Sequence, residues 1–124
     1  MFFTYIQNNS GGKFRRGHGI GHYVIVEATN AEAANERAEH IGLYFDGCDS
    51  GFDCSCCGDR WYPSSGKGSD VPTIHNVPVE EYGSAYSLSD RTIYVHYLDG
   101  HLQEHHVREH TPDQEKAMWE RFKE

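Results

Sequence analysis

The sequence predicts an α+β fold in which a small antiparallel sheet is covered by two helices. Runs of β-branched and aromatic residues alternate with two stretches of helical spacing. A length of 124 residues is enough for one hydrophobic core. We therefore expect residues 1–124 to form a single domain, with an irregular, cysteine-bearing loop over residues 45–72.

The composition argues against several classes of protein. Eleven basic residues against 19 acidic residues give a net charge of −8, which argues against bulk nucleic acid as a partner. No apolar run approaches the ~20 residues of a membrane span, so no membrane association is expected. The start of the chain has no basic region and no cleavage site, so it is interpreted as a strand and predicts a cytoplasmic protein.

The first half of the chain is predicted to contain two strands and a helix. Residues 2–7 and 22–28 are rich in β-branched and aromatic side chains. Thr29, followed three residues later by Glu32, fits a capping box and predicts a helix that ends before Gly42. Four small or apolar residues form the inner stripe of this helix: Ala31, Ala34, Ala38 and Ile41.

The second half is predicted to contain a hairpin and the second helix. One short strand is expected over residues 74–79. Residues 91–98 have the strongest strand pattern, and the following Asp-Gly pair favours a two-residue turn, so that residues 101–107 return as the partner strand. Residues 111–122 begin with a threonine cap and a proline, which predicts the second helix.

All four cysteines fall within the predicted loop. Cys54 and Cys57 are separated by two residues and followed by Gly58, as in half of a zinc knuckle, because two thiolates at this spacing can hold one tetrahedral ion. Cys48 is a sensible third ligand. The fourth ligand is left open among three residues: Cys56, His40 and His75. Structural zinc is therefore the predicted cofactor, with free thiols, a disulfide and a redox thiol as alternatives.

Four aspartates also lie in this loop, at a spacing that does not match a calcium-binding loop. They are Asp46, Asp49, Asp53 and Asp59. We expect them to be solvated, apart from a helix cap or a salt bridge to Arg60.

The cysteine loop carries a resemblance to a known group of proteins. Its LYFDG at residues 43–47 and DCSCCGDRW at residues 53–61, with YIQNNSGG at residues 5–12, resemble a block in small uncharacterised bacteriophage proteins. The resemblance covers about the first half of the chain. It implies a phage accessory protein that acts in the host cytoplasm, and it brings no activity with it.

A glycine-rich loop over residues 11–22 is the second candidate site. It contains five glycines and no acid, and its candidate ligand-binding residues are Lys13, Arg15, Arg16 and His18. Exposed amides beside fixed positive charges can bind an anion such as a phosphate. A strand follows, however, so the loop lacks the helix N-terminus of phosphate and dinucleotide motifs. A hairpin connection with solvated charges is the alternative.

The histidines of the second half form a third candidate. His101 and His105 match the H-x-x-E-H pattern of zinc proteases, but a strand separates them by roughly 13 Å, which argues against a metal-dependent hydrolase. A two-residue turn would pair Tyr94 with His105 and set His96 opposite a glutamine. The expected result is one Tyr/His face for a partner or ligand: Tyr94, His96, His101 and His105. A solvent-facing sheet is the alternative.

These observations favour a non-enzymatic binding module that acts on a host or defence protein. A binder of an anionic small molecule or nucleotide is the second hypothesis, and metal-dependent hydrolysis is the third.

Overall fold

The computed structural model describes residues 1–8, 16–79 and 92–106. Its elements in chain order are β1 (Phe2–Ile6), β2 (Tyr23–Glu27), α1 (Ala31–Ile41), α2 (Gly47–Ser50), β3 (Thr73–Ile74), β4 (Val77–Pro78), β5 (Thr92–His96) and β6 (Leu102–His106). The α+β class is confirmed. The helix predicted over residues 111–122 lies outside the described residues, whereas the short helix α2 was not predicted.

The main sheet has four strands in the order β1-β2-β5-β6. The outer pairs are antiparallel, as predicted, but the central strands β2 and β5 are parallel, with Tyr23 beside Ile93. A parallel pair needs a long crossover, and here the connection includes α1. The sheet is therefore mixed and not wholly antiparallel as predicted. The prediction missed this because local sequence patterns do not specify which distant strands become neighbours.

Both faces of the main sheet are covered. On one face, Ala34 and Ala38 of α1 are fully buried beside Trp61, which lies in the cysteine loop after the last cysteine. On the other face, Ile74 of the β3–β4 hairpin is buried with Ile25 of β2. Burial on both sides explains why β2 is a continuous apolar run and not an alternating one.

The start of α1 differs by one residue from the prediction. The N-cap is Asn30, whose side-chain oxygen accepts a hydrogen bond from the backbone amide of Ala33 at 2.8 Å. The predicted capping box at Thr29 is therefore wrong. Both residue types cap helices well, and two adjacent candidates leave the choice to the direction of the chain as it leaves β2. The predicted end is confirmed, since Gly42 has a φ of 126° and its amide bonds to the carbonyl of Ala38.

Residues 74–79 form part of a hairpin and not one strand. Strands β3 and β4 pair Ile74 with Val77. The two residues between them, His75 and Asn76, both have positive φ, at 51° and 66°. This is the backbone of a tight two-residue hairpin turn, and asparagine tolerates it better than most residues.

The β5–β6 hairpin has a three-residue loop instead of the predicted two-residue turn. Tyr97 donates its backbone amide to the carbonyl of His101 at 2.9 Å, and the amide of Gly100 bonds back to Tyr97 at 2.9 Å. Gly100 has a φ of 97°, which favours glycine. His96 consequently pairs with Leu102, so the register of β6 is shifted by one residue.

Candidate functional site

The cysteine loop begins with the short helix α2, which is held by aspartates. Gly47 is buried and lies so close to Asp53 and Tyr44 that a Cβ atom at this position would clash with both side chains. Asp59 accepts a hydrogen bond from the backbone amide of Cys48 at 2.9 Å. Asp59 therefore satisfies one free amide in the first turn of α2, whereas the side chain of the N-cap residue, Asp46, makes no capping hydrogen bond.

A buried side-chain network fixes the base of the loop to the sheet. Asp53 accepts hydrogen bonds from the hydroxyl of Tyr44 at 2.7 Å and from the amide of Arg60 at 2.8 Å. Arg60 donates through Nε to Tyr44 and through Nη1 to Gln7, both at 3.0 Å. Gln7, at the end of β1, donates to the carbonyl of Gly21 at 2.8 Å. The predicted salt bridge to Arg60 is confirmed, but Asp53 is buried and not solvated.

The Cys54–Cys57 segment folds into a tight turn. The backbone amides of Cys57 and Gly58 donate to the carbonyl of Cys54 at 3.1 and 3.2 Å, and Gly58 has a φ of 88°. Asn8 fixes the turn from outside by donating to the carbonyl of Cys57 at 2.7 Å. Hydrogen bonds from the backbone of Cys56, and then from the thiol and backbone of Cys57, lower the pKa of the Cys54 thiol. The turn therefore favours a thiolate at Cys54.

Cys48 lies against this turn and has the opposite character. Its thiol donates to the carbonyl of Cys54 at 3.4 Å. The pKa of the Cys48 thiol is raised to about 11, mainly by burial and then by the hydrogen bond to Asp59 and the negative charges of Asp59 and Asp53. All four cysteines are free, and Cys54, Cys56 and Cys57 are exposed.

The predicted metal ligands are only partly brought together. Cys48 and the Cys54–Cys57 turn meet, as the spacing predicted. His40 is exposed on α1, and His75 is exposed in the β3–β4 turn. Over residues 1–8, 16–79 and 92–106, no group of three or more His, Cys, Asp or Glu side chains is arranged to hold a metal ion. Zinc therefore stays a prediction.

The glycine-rich loop is described only from residue 16, and Lys13 and Arg15 lie outside the described residues. Arg16 is exposed, and its Nη2 lies 3.3 Å from Nε2 of the buried His22. His22 in turn accepts the backbone amide of Thr92 through Nδ1 at 3.1 Å, which ties the loop to β5. His18 is exposed in the turn.

The predicted Tyr/His face is wrong. The register of β6 is shifted by one residue, so each of its side chains lies on the opposite face of the sheet from the one predicted. Tyr94 and His96 share one side of the hairpin with Leu102, whereas His101 and His105 belong to the other side, with Ile93. Side chains alternate along a strand, so one extra loop residue exchanges the faces of β6.

The histidines of the hairpin have separate local roles. His96 contacts the carbonyl of Gly19 through Nε2 at 2.8 Å, and burial lowers its pKa, with smaller contributions from the charges of Arg37 and His18. His101 stacks on Tyr97 with ring centroids 4.0 Å apart. These contacts stabilise the hairpin and do not converge on one site.

The comparison with protein families covers the cysteine loop and the hairpin together. A family model matches residues 1–113, which include every site described above. The chain belongs to the family described as Domain of unknown function (DUF7296). No curated protein and no solved structure matches this DUF7296 chain. None of its described helices combines the length and apolar character needed to cross a membrane.

Sequence reasoning missed the residues that hold the loop of this DUF7296 chain in place. Gln7, Asn8 and Tyr44 each contact the loop through a side-chain hydrogen bond. Gln7 gave one usable signal, since a polar residue directly after an apolar strand is a candidate for a buried hydrogen-bonding role. Tyr44 gave none, because its partner Asp53 is nine residues away in an irregular segment.

Proposed function

We propose that this protein is a non-enzymatic binding module of phage type, which acts in the host cytoplasm on a host or defence protein. One observation carries the proposal: the base of the cysteine loop is fixed by the buried network around Asp53, and an aromatic side chain, Phe52, is exposed next to it. Phe52 is 67% exposed. The centroid of its ring lies 5.8 Å from the ring centroid of Tyr44, which belongs to the buried network with Asp53. An apolar side chain held on a rigid base loses little entropy when a partner covers it.

The neighbouring residues support the same surface. Tyr62 is 55% exposed, and its hydroxyl lies close to Gly58 in the cysteine turn. Trp61, between Arg60 and Tyr62, is buried in the core and anchors this side of the loop. Aromatic residues are enriched at the centres of protein interfaces because they bury much area with few rotatable bonds. Phe52 and Tyr62 are therefore the residues to test.

We also propose that the loop holds a structural zinc ion through Cys48, Cys54 and Cys57. The amide hydrogen bonds to the sulfur of Cys54 and the positive φ of Gly58 support this, because they are the features that orient a knuckle turn towards a metal. Cys56, adjacent to Cys57, is the first candidate for the fourth ligand within the loop. Zinc would order the Cys54–Cys57 turn, whereas the Asp53 network orders the base of the loop.

The binding proposal is tested by partner capture with matched variants. Wild-type protein is used to isolate partners from lysates of several permissive hosts, and each partner is then purified and tested for direct binding. Phe52→Ser is expected to abolish that binding, whereas Leu98→Ser, which removes an apolar residue 58% exposed in the hairpin loop, is expected to preserve it. Equal binding by both variants, or the absence of any saturable partner, would contradict the proposal.

The zinc proposal is tested by native mass spectrometry of protein purified without a chelator. One zinc ion per chain is expected in the wild type and none in Cys54→Ser, because thiolate ligands contribute most of the affinity. Cys56→Ser separates the remaining ligand sets: retention of zinc excludes Cys56, and loss assigns it. Absorption of a cobalt-substituted sample then distinguishes four protein ligands from three ligands and a water. Metal-free wild-type protein would refute the proposal.

A further inference from the structure

Strand β1 is paired on its outer side only at its two ends. It lies at one edge of the main sheet, so alternate residues direct their backbone groups away from β2. At one end, Phe2 exchanges two backbone hydrogen bonds with Ser69, at 2.7 and 2.8 Å. At the other end, the backbone amide of Asn8 donates to the carbonyl of Arg60 at 2.9 Å. The chain therefore covers the outer edge of β1 at residues 2 and 8.

Between these two contacts, the backbone groups of Thr4 and Ile6 face the same way and are open. Within the part of the chain that the structure describes, their outward amides and carbonyls make no hydrogen bond. The segment that joins the two contacts passes on the α1 side of the edge, where Asn35 holds Ser64. The amide of Ser64 donates to Oδ1 of Asn35 at 2.7 Å, and its carbonyl accepts Nδ2 at 3.0 Å. Two amides and two carbonyls in strand geometry are thus left without a neighbouring strand.

A cleft of about 220 Å³ opens along this edge. Thr4 and Ile6 line it from the strand, Ser64 and Ser65 line it on the α1 side, and His75 lines it on the side of the β3–β4 hairpin. Among the described residues that line it, none is Asp, Glu, Lys or Arg. The volume is below the ~300 Å³ at which small-molecule sites begin. A charged group buried here would lack an opposite charge, so the cleft favours an uncharged occupant.

We propose that the outer edge of β1 binds a short, extended and uncharged segment of a partner protein, which pairs its backbone with Thr4 and Ile6. Strand addition uses unpaired edge groups of this kind, because an extended backbone presents donors and acceptors at the matching spacing. At ~3.3 Å per residue, the open stretch accommodates about three residues in the plane of the sheet. The partner segment therefore enters and leaves the edge within a few residues, as an exposed loop does.

A second copy of this chain does not fit the edge through its own β1. In an antiparallel pair centred on Tyr5, Phe2 of one copy would lie opposite Asn8 of the other. Ser69 and Arg60 already occupy the positions beside those two residues. The open stretch is therefore too short for a second β1 and favours a different, shorter segment.

The two sides of the edge determine which side chains the segment carries. Thr4 and Ile6 lie on the side of the β3–β4 hairpin, where Oγ1 of Thr4 donates to the carbonyl of Thr73 at 2.5 Å. Ile6 is 43% exposed, so an apolar or β-branched residue opposite it is expected. The neighbours of that residue point towards Ser64 and Ser65 and are expected to be small. The site is separate from Phe52 and independent of the function proposed for the cysteine loop.

Hydrogen exchange in the full chain tests whether the edge is open. The amides of Phe3 and Tyr5 face β2, whereas those of Thr4 and Ile6 face outwards. The outward amides are expected to exchange about a hundredfold faster or more. Equal protection of all four amides would show that the chain itself covers the edge, and it would overturn the proposal.

A library of random octapeptides displayed on cells, selected against the full chain, supplies the probe. Enriched peptides are expected to be uncharged at their centre, to shift the amide resonances of Thr4 and Ile6 in NMR spectra, and to lose binding when their backbone amides are methylated. Enrichment of no peptide, or only of peptides that leave these two resonances unchanged, overturns the proposal.

Variants at one position separate the backbone contact from the side chain. Ile6→Pro removes the outward amide, a change that edge strands tolerate, and Ile6→Ala removes the apolar side chain but keeps the amide. The selected peptide is expected to bind Ile6→Pro about tenfold more weakly than Ile6→Ala, since its acceptor is left unpaired. Equal affinities for the two variants would overturn the proposal.

Two further variants complete the test. Ser65→Tyr fills the cleft from an exposed residue and is expected to weaken binding by about tenfold, and it replaces Ile6→Pro if that variant fails to fold. Phe52→Ser is expected to change the affinity by less than about twofold, because Phe52 lies outside the cleft. Wild-type affinity in Ser65→Tyr, or a larger loss in Phe52→Ser than in the edge variants, would overturn the proposal.

Discussion

The carboxylate of Asp53 accepts the backbone amide of Arg60 at 2.8 Å and lies 3.6 Å from the guanidinium Nε of the same residue. The two side chains are 0% and 5% exposed. Asp53→Ala leaves the charge of Arg60 buried without its carboxylate, so we expect a loss of about 3–5 kcal/mol in the free energy of unfolding. Urea denaturation monitored by tryptophan fluorescence measures it, since Trp61 follows Arg60 directly.

Asp49→Ala is the matched control for this prediction. Asp49 lies in the same loop, in α2, but is exposed. Its replacement is expected to change the free energy of unfolding by no more than about 0.5 kcal/mol. Similar losses in the two variants would show that the buried pair does not fix the loop.

Removal of the proposed zinc should make the Cys54–Cys57 turn less ordered without unfolding the domain. Because Asp53 and Arg60 hold the base through protein groups alone, we expect a strong chelator to lower the melting temperature while the far-UV circular dichroism at 25 °C stays unchanged. Cys54→Ser should melt at the same temperature with and without the chelator. Complete unfolding of the wild type by the chelator would contradict this role for the network.

The corrected helix cap can be tested at two adjacent residues. Asn30→Ala removes the side-chain acceptor for the amide of Ala33 and is expected to cost about 1 kcal/mol of stability. Thr29→Ala is expected to cost much less, because the cap bond at this helix start is made by Asn30. Thermal or urea denaturation of the two variants decides, and a larger loss for Thr29→Ala would restore the capping box.

The hairpin loop predicts a difference between two glycines. Gly100 has a φ of 97° and free space around it, so Gly100→Ala is expected to cost about 1–2 kcal/mol for conformational reasons alone. Gly17 also has free space around it but no positive φ, so Gly17→Ala should be close to neutral or slightly stabilising. Urea midpoints provide the comparison, and equal costs would argue against the three-residue loop.

His96 predicts how stability changes with pH. Burial, and to a lesser extent Arg37 and His18, lower its pKa below 6.5 in the folded protein, against the hydrogen bond to the carbonyl of Gly19. The unfolded chain therefore binds a proton more readily than the folded one. The contribution of His96 to the free energy of unfolding is therefore complete above its ordinary pKa of 6.5. It is lost as the pH falls from 6.5 towards the lowered pKa of the folded protein.

Melting temperatures at pH 7.5 and pH 5.5 measure this effect. The difference between the two pH values should be smaller in His96→Gln than in the wild type. His75→Asn, at an exposed turn residue with a φ of 51°, should keep the full difference. An unchanged pH dependence in His96→Gln would exclude this histidine as the source.

Local patterns predicted the elements well and their pairing poorly. Strands β1 and β2, helix α1 and its end at Gly42 follow from β-propensity, helical spacing and a C-terminal glycine. The parallel contact of β2 with β5 does not follow, because it depends on burial of both sheet faces by distant segments. The predicted register of β6 is wrong by one residue, because Asp99-Gly100 also fits a three-residue loop that begins at Leu98.

The candidate site was predicted in part for the same reason. The spacing of the cysteines indicated a turn at Cys54–Cys57 and the nearby Cys48, because these contacts are local. The hydrogen bonds of Gln7 and Asn8 to the loop join residues about fifty positions apart, and no composition signal specifies such pairs. The hydrogen bond from Arg37 of α1 to the carbonyl of Tyr97 likewise joins residues 60 positions apart.

The parallel contact between the two central strands also bears on synthesis of the chain. The ring of His22 and the amide of Thr92, which join these strands, are 70 positions apart, so the first hairpin leaves the ribosome long before its neighbour exists. During that interval an apolar strand presents open backbone groups to other nascent chains. Shortened versions that stop ahead of β5 should therefore accumulate as aggregates, whatever the state of the cysteines.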